Sequence, residues 1–297
     1  MNEEDKIIGC IVGGAIGDCL GRPYENQKEV RLKEEKWKIT DDTQMTLATC
    51  EAITKSRKVD PEIIAKTFVQ WHRREPLRGL GASTYKALLE LSQGGHWALV
   101  GRKGEMAAGN GAAMRIAPLA FCLDIDDKQT KIVIRDVSRI THHNEEAYVG
   151  ALAVVIAIRC AWKGTPNLDN SLFSTLIDKL PDSSIRDRLI DISKLDNNLS
   201  ISEIAKIYGS SGYVVETIPL VIYSLNYFQK LGFQPLLQEL VSLGGDSDTI
   251  ASITGQIIGS FIGFNALPKD LVNSLPTSDN IFTIAKNFAK VVIEMAA

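Results

Sequence analysis

Apolar residues recur along most of the chain at the three- and four-residue spacing of helices, and no segment shows strand-like alternation. Near the start, Ile7, Ile8, Ile11, Val12, Ala15 and Ile16 share one stripe, while Gly9, Gly13 and Gly17 repeat every four residues on a neighbouring one. A helix with so little bulk on one face lets another backbone approach closely. Each interior glycine costs about 0.5–1 kcal/mol, so three in register point to packing that offsets the loss. The device returns late in the chain, where Ile250, Ile253, Ile257 and Phe261 make the stripe and Gly255, Gly259 and Gly263 the ladder. Two small-residue helices near the centre are expected. Between them the periodicity predicts helices at about 62–74, 82–93, 113–123, 129–141, 145–162, 171–179, 185–193, 201–208, 214–230 and 234–243. The polar stretch from Lys163 to about Ser202, with Pro166 and Pro181, reads as surface, but apolar helical patterning runs on through it. A single compact all-α domain is therefore expected, with no repeat of 34 to 50 residues visible.

Composition narrows the function. At 297 residues and 45% hydrophobic content the chain can bury a large core. Thirty-three basic against 36 acidic residues leave a net charge of -3, which gives no electrostatic reason to expect nucleic acid or an anionic membrane as partner. A small-molecule or protein substrate fits better. Cys10, Cys19, Cys50, Cys122 and Cys160 are scattered without CxxC spacing, as in a reducing setting. The opening MNEEDK is acidic and lacks the apolar run of a secretory signal. The longest apolar run, 147–158, is too short to span a bilayer. A cytoplasmic monomer is expected.

Candidate chemistry lies in two acidic clusters. In ITDDTQMTL, Thr40 is a good N-cap, and Asp41 and Asp42 in the first turn complement the helix dipole by about 0.3–1 kcal/mol each. Capping alone would explain that cluster. GGDSDTIA then places Asp246, Asp248 and Thr249 at the mouth of the second glycine-laddered helix. If the two mouths meet, four carboxylates converge, and each like-charge pair at 4 Å costs about 1 kcal/mol in water and about 4 at a protein-like dielectric. A divalent cation removes that cost. A donor set of Asp and Thr oxygens, without His or Cys, selects Mg²⁺ or Mn²⁺ over Zn²⁺.

Three further stretches stand beside these clusters. GDCLGRPYE carries Asp18 and Glu25; Pro23 ends or bends the segment, so Glu25 either reaches inward from a loop or is simply solvated. AAGNGAAMR is a small-residue turn whose backbone N–H groups suit phosphate or ribose oxygens, or is only a turn. RITHHNEEA offers His142 or His143 as a ligand contact, or as a hydrogen-bonded structural histidine beside an Asn144 cap.

Together GCIVGGAIGDCLGRPYE, TDDTQMT, GNGAAMRIAPLA, THHNEEA and GGDSDTIASITGQIIG resemble the ADP-ribosylglycohydrolase family, in matching order from Gly9 to Gly263. The resemblance implies an all-helical fold with two Mg²⁺, or Mn²⁺ in some members, at the base of a cleft. It places the metal ligands on Thr40, Asp41, Asp42, Asp246, Asp248 and Thr249, with Glu25 matching an acid that positions metal and water. It places a nucleotide-binding loop on Met106, Ala107, Ala108, Gly109, Asn110 and Gly111, and ligand contacts on His142 and Asp41. The implied activity is hydrolysis of the glycosidic bond at C1″ of an ADP-ribosyl group on a protein side chain, arginine favoured, or on a small molecule. Glu25, Asp41 and Asp42 are the candidates for catalytic work. Ala108 departs from members that carry an aromatic just before GNG. Two rival readings remain: a dimetal phosphohydrolase that uses the same acids to cleave the pyrophosphate, and a catalytically silent ADP-ribose-binding or structural protein on the same fold.

Overall fold

The structure, a computed structural model, describes residues 2–27, 37–164, 168, 170–195, 199–276 and 278–296. Among these, sixteen α-helices follow one another. The first group is α1 (Glu3–Gly21), α2 (Asp41–Ser56), α3 (Pro61–Arg74) and α4 (Ala82–Ser92). A turn-rich segment leads to α5 (Leu119–Cys122), α6 (Lys128–Arg139) and α7 (Glu145–Lys163). Next come α8 (Asn170–Lys179), α9 (Ser184–Ser193), α10 (Ile201–Tyr208), α11 (Val214–Ser224), α12 (Phe228–Leu231) and α13 (Phe233–Val241). The chain finishes with α14 (Ser247–Ile262), α15 (Lys269–Ser274) and α16 (Ser278–Ala296). The one described sheet is a two-residue parallel pairing of β1 (Arg102–Lys103) with β2 (His142–His143), in register Arg102 to His142. None of the described helices is long and apolar enough to cross a membrane.

The two glycine ladders meet. A Cβ at Gly9 would lie 2.4 Å from the Gly259 carbonyl oxygen, at Gly13 2.4 Å from that of Gly255, and at Gly17 2.1 Å from that of Ala251. Rising numbers on α1 face falling numbers on α14, so the helices run antiparallel with their backbones in contact. One consequence is positional: the C-terminal end of α1 and the loop after it arrive at the N-terminal mouth of α14. The stripes beside the ladders, with α7 and α11, build one continuous apolar core.

Several elements differ from the periodicity. The helix expected at 113–123 is a 3₁₀ turn, Asn110–Arg115, followed by the short α5, because Pro118 has no N–H to carry a helix onward. The helix expected at 214–230 ends at Ser224 and continues through a 3₁₀ turn into α12. Pro219 sits inside α11 and leaves the Val215 carbonyl without its helical donor. Arg188 replaces it, donating from Nη1 to Val215 O at 3.0 Å. The long helix α16 has no counterpart in the periodicity reading, although Ile281, Ala285, Phe288, Ala289 and Val292 form a buried face at helical spacing. In the polar stretch 163–202, residues 165–167, 169 and 196–198, Pro166 among them, lie outside the described residues. The remainder contributes Leu172, Phe173, Leu176, Ile185, Leu189 and Ile192 to the core.

Candidate active site

The site forms where three helix ends meet. Gly21, the last residue of α1, presses on α14: a Cβ there would lie 2.4 Å from Asp248 Cα, and Ser247 Oγ donates to Gly21 O at 2.8 Å. Past the helix, Asn26 N–H donates to Gly245 O at 2.7 Å. That clamp carries Glu25 to the mouth of α14, where carboxylate oxygens of Glu25, Asp246 and Asp248 all lie within 4.8 Å of one another. Glu25 thus reaches inward.

The mouth of α2 is built by Asp18. This fully buried carboxylate accepts from Thr40 N–H at 2.9 Å, Thr40 Oγ1 at 2.9 Å, Thr43 N–H at 3.2 Å and the Thr43 hydroxyl. Thr40 is the N-cap, its Oγ1 accepting from Asp42 N–H at 3.2 Å. The anion on the helix N-terminus is therefore Asp18, which frees the side chains of Asp41 and Asp42 for the cleft. The two mouths touch directly where Thr249 Oγ1 donates to Asp42 Oδ2 at 3.2 Å. Asp246 occupies the N-cap position of α14 without capping it through its side chain. Thr40 thus caps α2 as its position suggested, but the side chains of Asp41, Asp42 and Asp246 make no capping bond.

The electrostatics follow from the burial. Asp41, Asp42 and Asp248 are each 5% exposed or less. Burial first, then the neighbouring Asp18, pushes the Asp41 carboxyl up to about 8. Burial, then Asp248, holds Asp42 well above the usual carboxylate range; burial, then Asp246, does the same to Asp248. Glu25 is raised by burial and by Asp246. Among the described residues no Lys or Arg forms an ion pair with any of these acids. Asp42 Oδ1 is buried with no hydrogen-bond partner. A buried carboxylate oxygen without a donor, among further acids, is the kind of ligand a hard divalent ion satisfies. Glu25, Asp41, Asp42, Asp246, Asp248 and Thr249 line the cleft and fit such an ion, whereas Thr40 lies outside the lining with its Oγ1 bonded to Asp18 and to Asp42 N–H.

Above the acids lies a cavity of about 320 Å³, lined by Asp41, Asp42, Asp246 and Asp248 below and by Met106, Gly109, Gly111 and His142 at one side. The GNG loop is pinned to the start of α11 by Asn110 N–H to Gly212 O and Val214 N–H to Ala108 O, both 3.0 Å. Ala107 and Ala108 N–H also donate within the turn. Three of the amides expected to face a ligand are thus engaged by the protein. The Asn110 side chain turns inward, donating to Thr217 Oγ1 at 2.9 Å and to Asp246 Oδ2, and so orients an acid of the cluster. The two loop glycines leave room for His142: a Cβ at Gly109 would lie 3.2 Å from its Nε2, and at Gly111 2.9 Å from its Cε1. The β1–β2 pairing sets His142 there, and its pKa is lowered to about 3, chiefly by burial and then by Arg115. His143 lies outside the cavity lining. His72 and His96 accept local backbone hydrogen bonds on Nδ1.

Residues that spacing did not assign also shape the site. Asp18 has no role that its motif announces, and nothing in a 22-residue separation marks it as the acceptor at the start of α2. Gly79, in the left-handed region at φ 81, lets the 77–81 loop pass so close that a Cβ there would lie 3.0 Å from Asp41 Oδ1. Arg115 is fully buried and bonds to Thr141 behind His142.

Comparison with known proteins agrees with this architecture. A family model described as ADP-ribosylglycohydrolase matches residues 1–296. An uncharacterized protein of Archaeoglobus fulgidus is 32% identical, with 92% of each chain covered. ADP-ribosylhydrolase ARH3 of Gallus gallus is 26% identical over 89% of this chain and 87% of its own. ADP-ribosylarginine hydrolase Tri1 of Serratia proteamaculans is 26% identical over 95% of this chain and 78% of its own. A solved structure described as an ADP-ribosylglycohydrolase-related protein complex superposes with a TM-score of 0.70 at 22% identity, covering 98% of this chain and 99% of that one. That likeness shows a shared fold.

Proposed function

Because this chain belongs to the ADP-ribosylglycohydrolase family, we propose that its cleft hydrolyses the glycosidic bond at ribose C1″ of an ADP-ribosyl group, releasing ADP-ribose, with arginine-linked conjugates preferred. The observation that carries the reading is the convergence of Glu25, Asp41, Asp42, Asp246 and Asp248 beneath one cavity, with Asp42 Oδ1 unsatisfied. The arginine preference is supported by the named activity of the Serratia relative.

Glu25, Asp41, Asp42, Asp246, Asp248 and Thr249 would hold two Mg²⁺ or Mn²⁺ ions. Bound there, such ions supply fixed positive charge for ribose hydroxyls and make a water more acidic. The chain's own residues do the rest. Asp41, beside the Gly79 loop, bonds and orients the ribose. Asp42 and Glu25 are the candidates for proton work, placed by their position at the acid cluster to take a proton from water and return one to the leaving group. Positive charge develops on the sugar ring as the bond breaks, and the acid cluster stabilises it. Met106, the GNG loop and His142 hold the nucleotide end against the cavity wall, so the scissile carbon stays above the acids.

Purified protein with Mg²⁺, incubated separately with arginine-, serine- and acetyl-linked ADP-ribose, tests the proposal. Release of intact ADP-ribose, fastest from the arginine conjugate, is expected. AMP with ribose phosphate would identify a phosphohydrolase instead, and binding without turnover of any conjugate a silent receptor.

A further inference from the structure

Arg115 is the largest fully buried side chain among the described residues. Its guanidinium lies 4.8 Å from the centre of the Phe68 ring, and its Nε and Nη1 have no hydrogen-bond partner. Holding an arginine in an apolar interior on such terms is unfavourable unless its remaining donor does something that a smaller residue cannot. That donor, Nη2, lies 2.6 Å from Thr141 Oγ1. Thr141 is itself fully buried, and its Oγ1 lies 2.7 Å from His142 Nδ1.

The proton count along this chain has one solution. A guanidinium carries no acceptor, so Thr141 Oγ1 must accept from Arg115. The hydroxyl's single proton then has His142 Nδ1 as its acceptor; turned elsewhere, it would be a buried donor without a partner. Nδ1 is therefore bare, and the proton of the neutral imidazole sits on Nε2. Nε2 is the edge of the ring that packs on Gly109 and Gly111 and borders the cavity. His142 stays neutral because burial, then the positive charge of Arg115 behind it, disfavours the imidazolium.

We infer that Arg115 and Thr141 are positioning residues that lock His142 as the Nε2–H tautomer, making it a one-way hydrogen-bond donor to an oxygen acceptor of the ligand in the cleft. The identity of that ligand rests on the ADP-ribosyl reading above; the tautomer does not. An uncharged donor here would hold a phosphate or hydroxyl oxygen while leaving the field at the acid cluster unchanged.

Histidine-¹⁵N-labelled protein, free of ligand, gives the tautomer by long-range ¹H–¹⁵N correlation, and calorimetry with ADP-ribose in Mg²⁺ gives the affinity. Wild type is expected to show Nε2–H alone. Thr141→Val removes the hydroxyl at nearly constant volume and should give mixed tautomers with ADP-ribose bound about three- to tenfold more weakly, while Thr141→Ser restores both. Arg115→Met, or Arg115→Lys should the first not fold, is expected to reproduce the mixture. A wild type carrying Nδ1–H or the imidazolium overturns the inference, as does a Thr141→Val protein with unchanged tautomer or unchanged affinity. Failure of Thr141→Ser to restore the tautomer would assign the loss to packing and overturn it too, and a wild-type tautomer in the Arg115 variant would remove Arg115 from the relay. Wild-type protein that shows Nε2–H but has no affinity for ADP-ribose overturns the functional reading, and the ligand half of the inference with it.

Discussion

Asp18 and Asp42 are both buried acids within the same few ångströms of backbone, yet they do opposite work. Asp18 accepts from four donors of α2, whereas Asp42 keeps an oxygen without any. Replacing Asp18 with Ala strands the buried Thr40 and Thr43 donors at about 1–3 kcal/mol for each unsatisfied group, so urea denaturation should show a loss of several kcal/mol. Replacing Asp42 with Asn removes a charge opposed by burial and by Asp248. The metal-free Asp42→Asn protein should therefore melt higher than wild type, while its turnover falls by at least about a hundredfold. A drop in melting temperature together with full turnover would contradict the assignment. At this scale, Asp41, Asp42, Asp246 and Asp248 were legible because two acid-threonine clusters at helix starts exceed what capping needs. Asp18 was not, because its meaning comes from a contact made 22 residues away. Asn110 lines the cavity as the loop motif implies, and its side-chain amide also bonds Asp246 and Thr217, a contact that spacing did not give.

At the scale of elements, the antiparallel packing of α1 on α14 sets the distance between everything else. A Cβ at Gly13 would strike the Gly255 carbonyl at 2.4 Å, a backbone atom that cannot move without parting the helices, whereas at Gly14 it meets the Gln256 side chain at 2.6 Å. Gly13→Ala should thus cost about 1–3 kcal/mol by overpacking, and Gly14→Ala clearly less. Thermal melts of the two variants compare them directly; equal stability would mean that the ladder is not a tight contact. Glycine spacing made two close-packing helices readable from the sequence alone, but not that they pack on each other. The same pairing decides Glu25, which local spacing left open between a solvated loop and the site. Where local sequence rules compete, periodicity misjudged extent: Pro118 breaks the 113–123 pattern, and Pro219 sits inside α11 with Arg188 taking up the freed Val215 carbonyl. The buried stripe of α16 at Ile281, Ala285 and Phe288 carried a readable signal that went unassigned.

For the molecule as a whole, a cation held by the acid cluster would couple folding to its own binding. A ligand that binds only the folded state at a hundredfold excess over its Kd adds about 2.7 kcal/mol, so Mg²⁺ should raise the melting temperature of wild type and leave Asp248→Asn nearly unmoved. EDTA should reverse the shift. The all-α fold, the family and the meeting of two distant helix mouths were foreshadowed by motif order, since those motifs mark the places where the backbone must approach closely or where charge gathers. The arrangement of loop amides and the histidine relay were not, because both depend on which donors the protein uses internally. The most direct test of the account is anomalous diffraction from crystals grown with Mn²⁺. Peaks between the mouths of α2 and α14, within coordination distance of Asp42 Oδ1 and Asp248, are predicted; saturating Mn²⁺ with no peak among these acids would contradict the account.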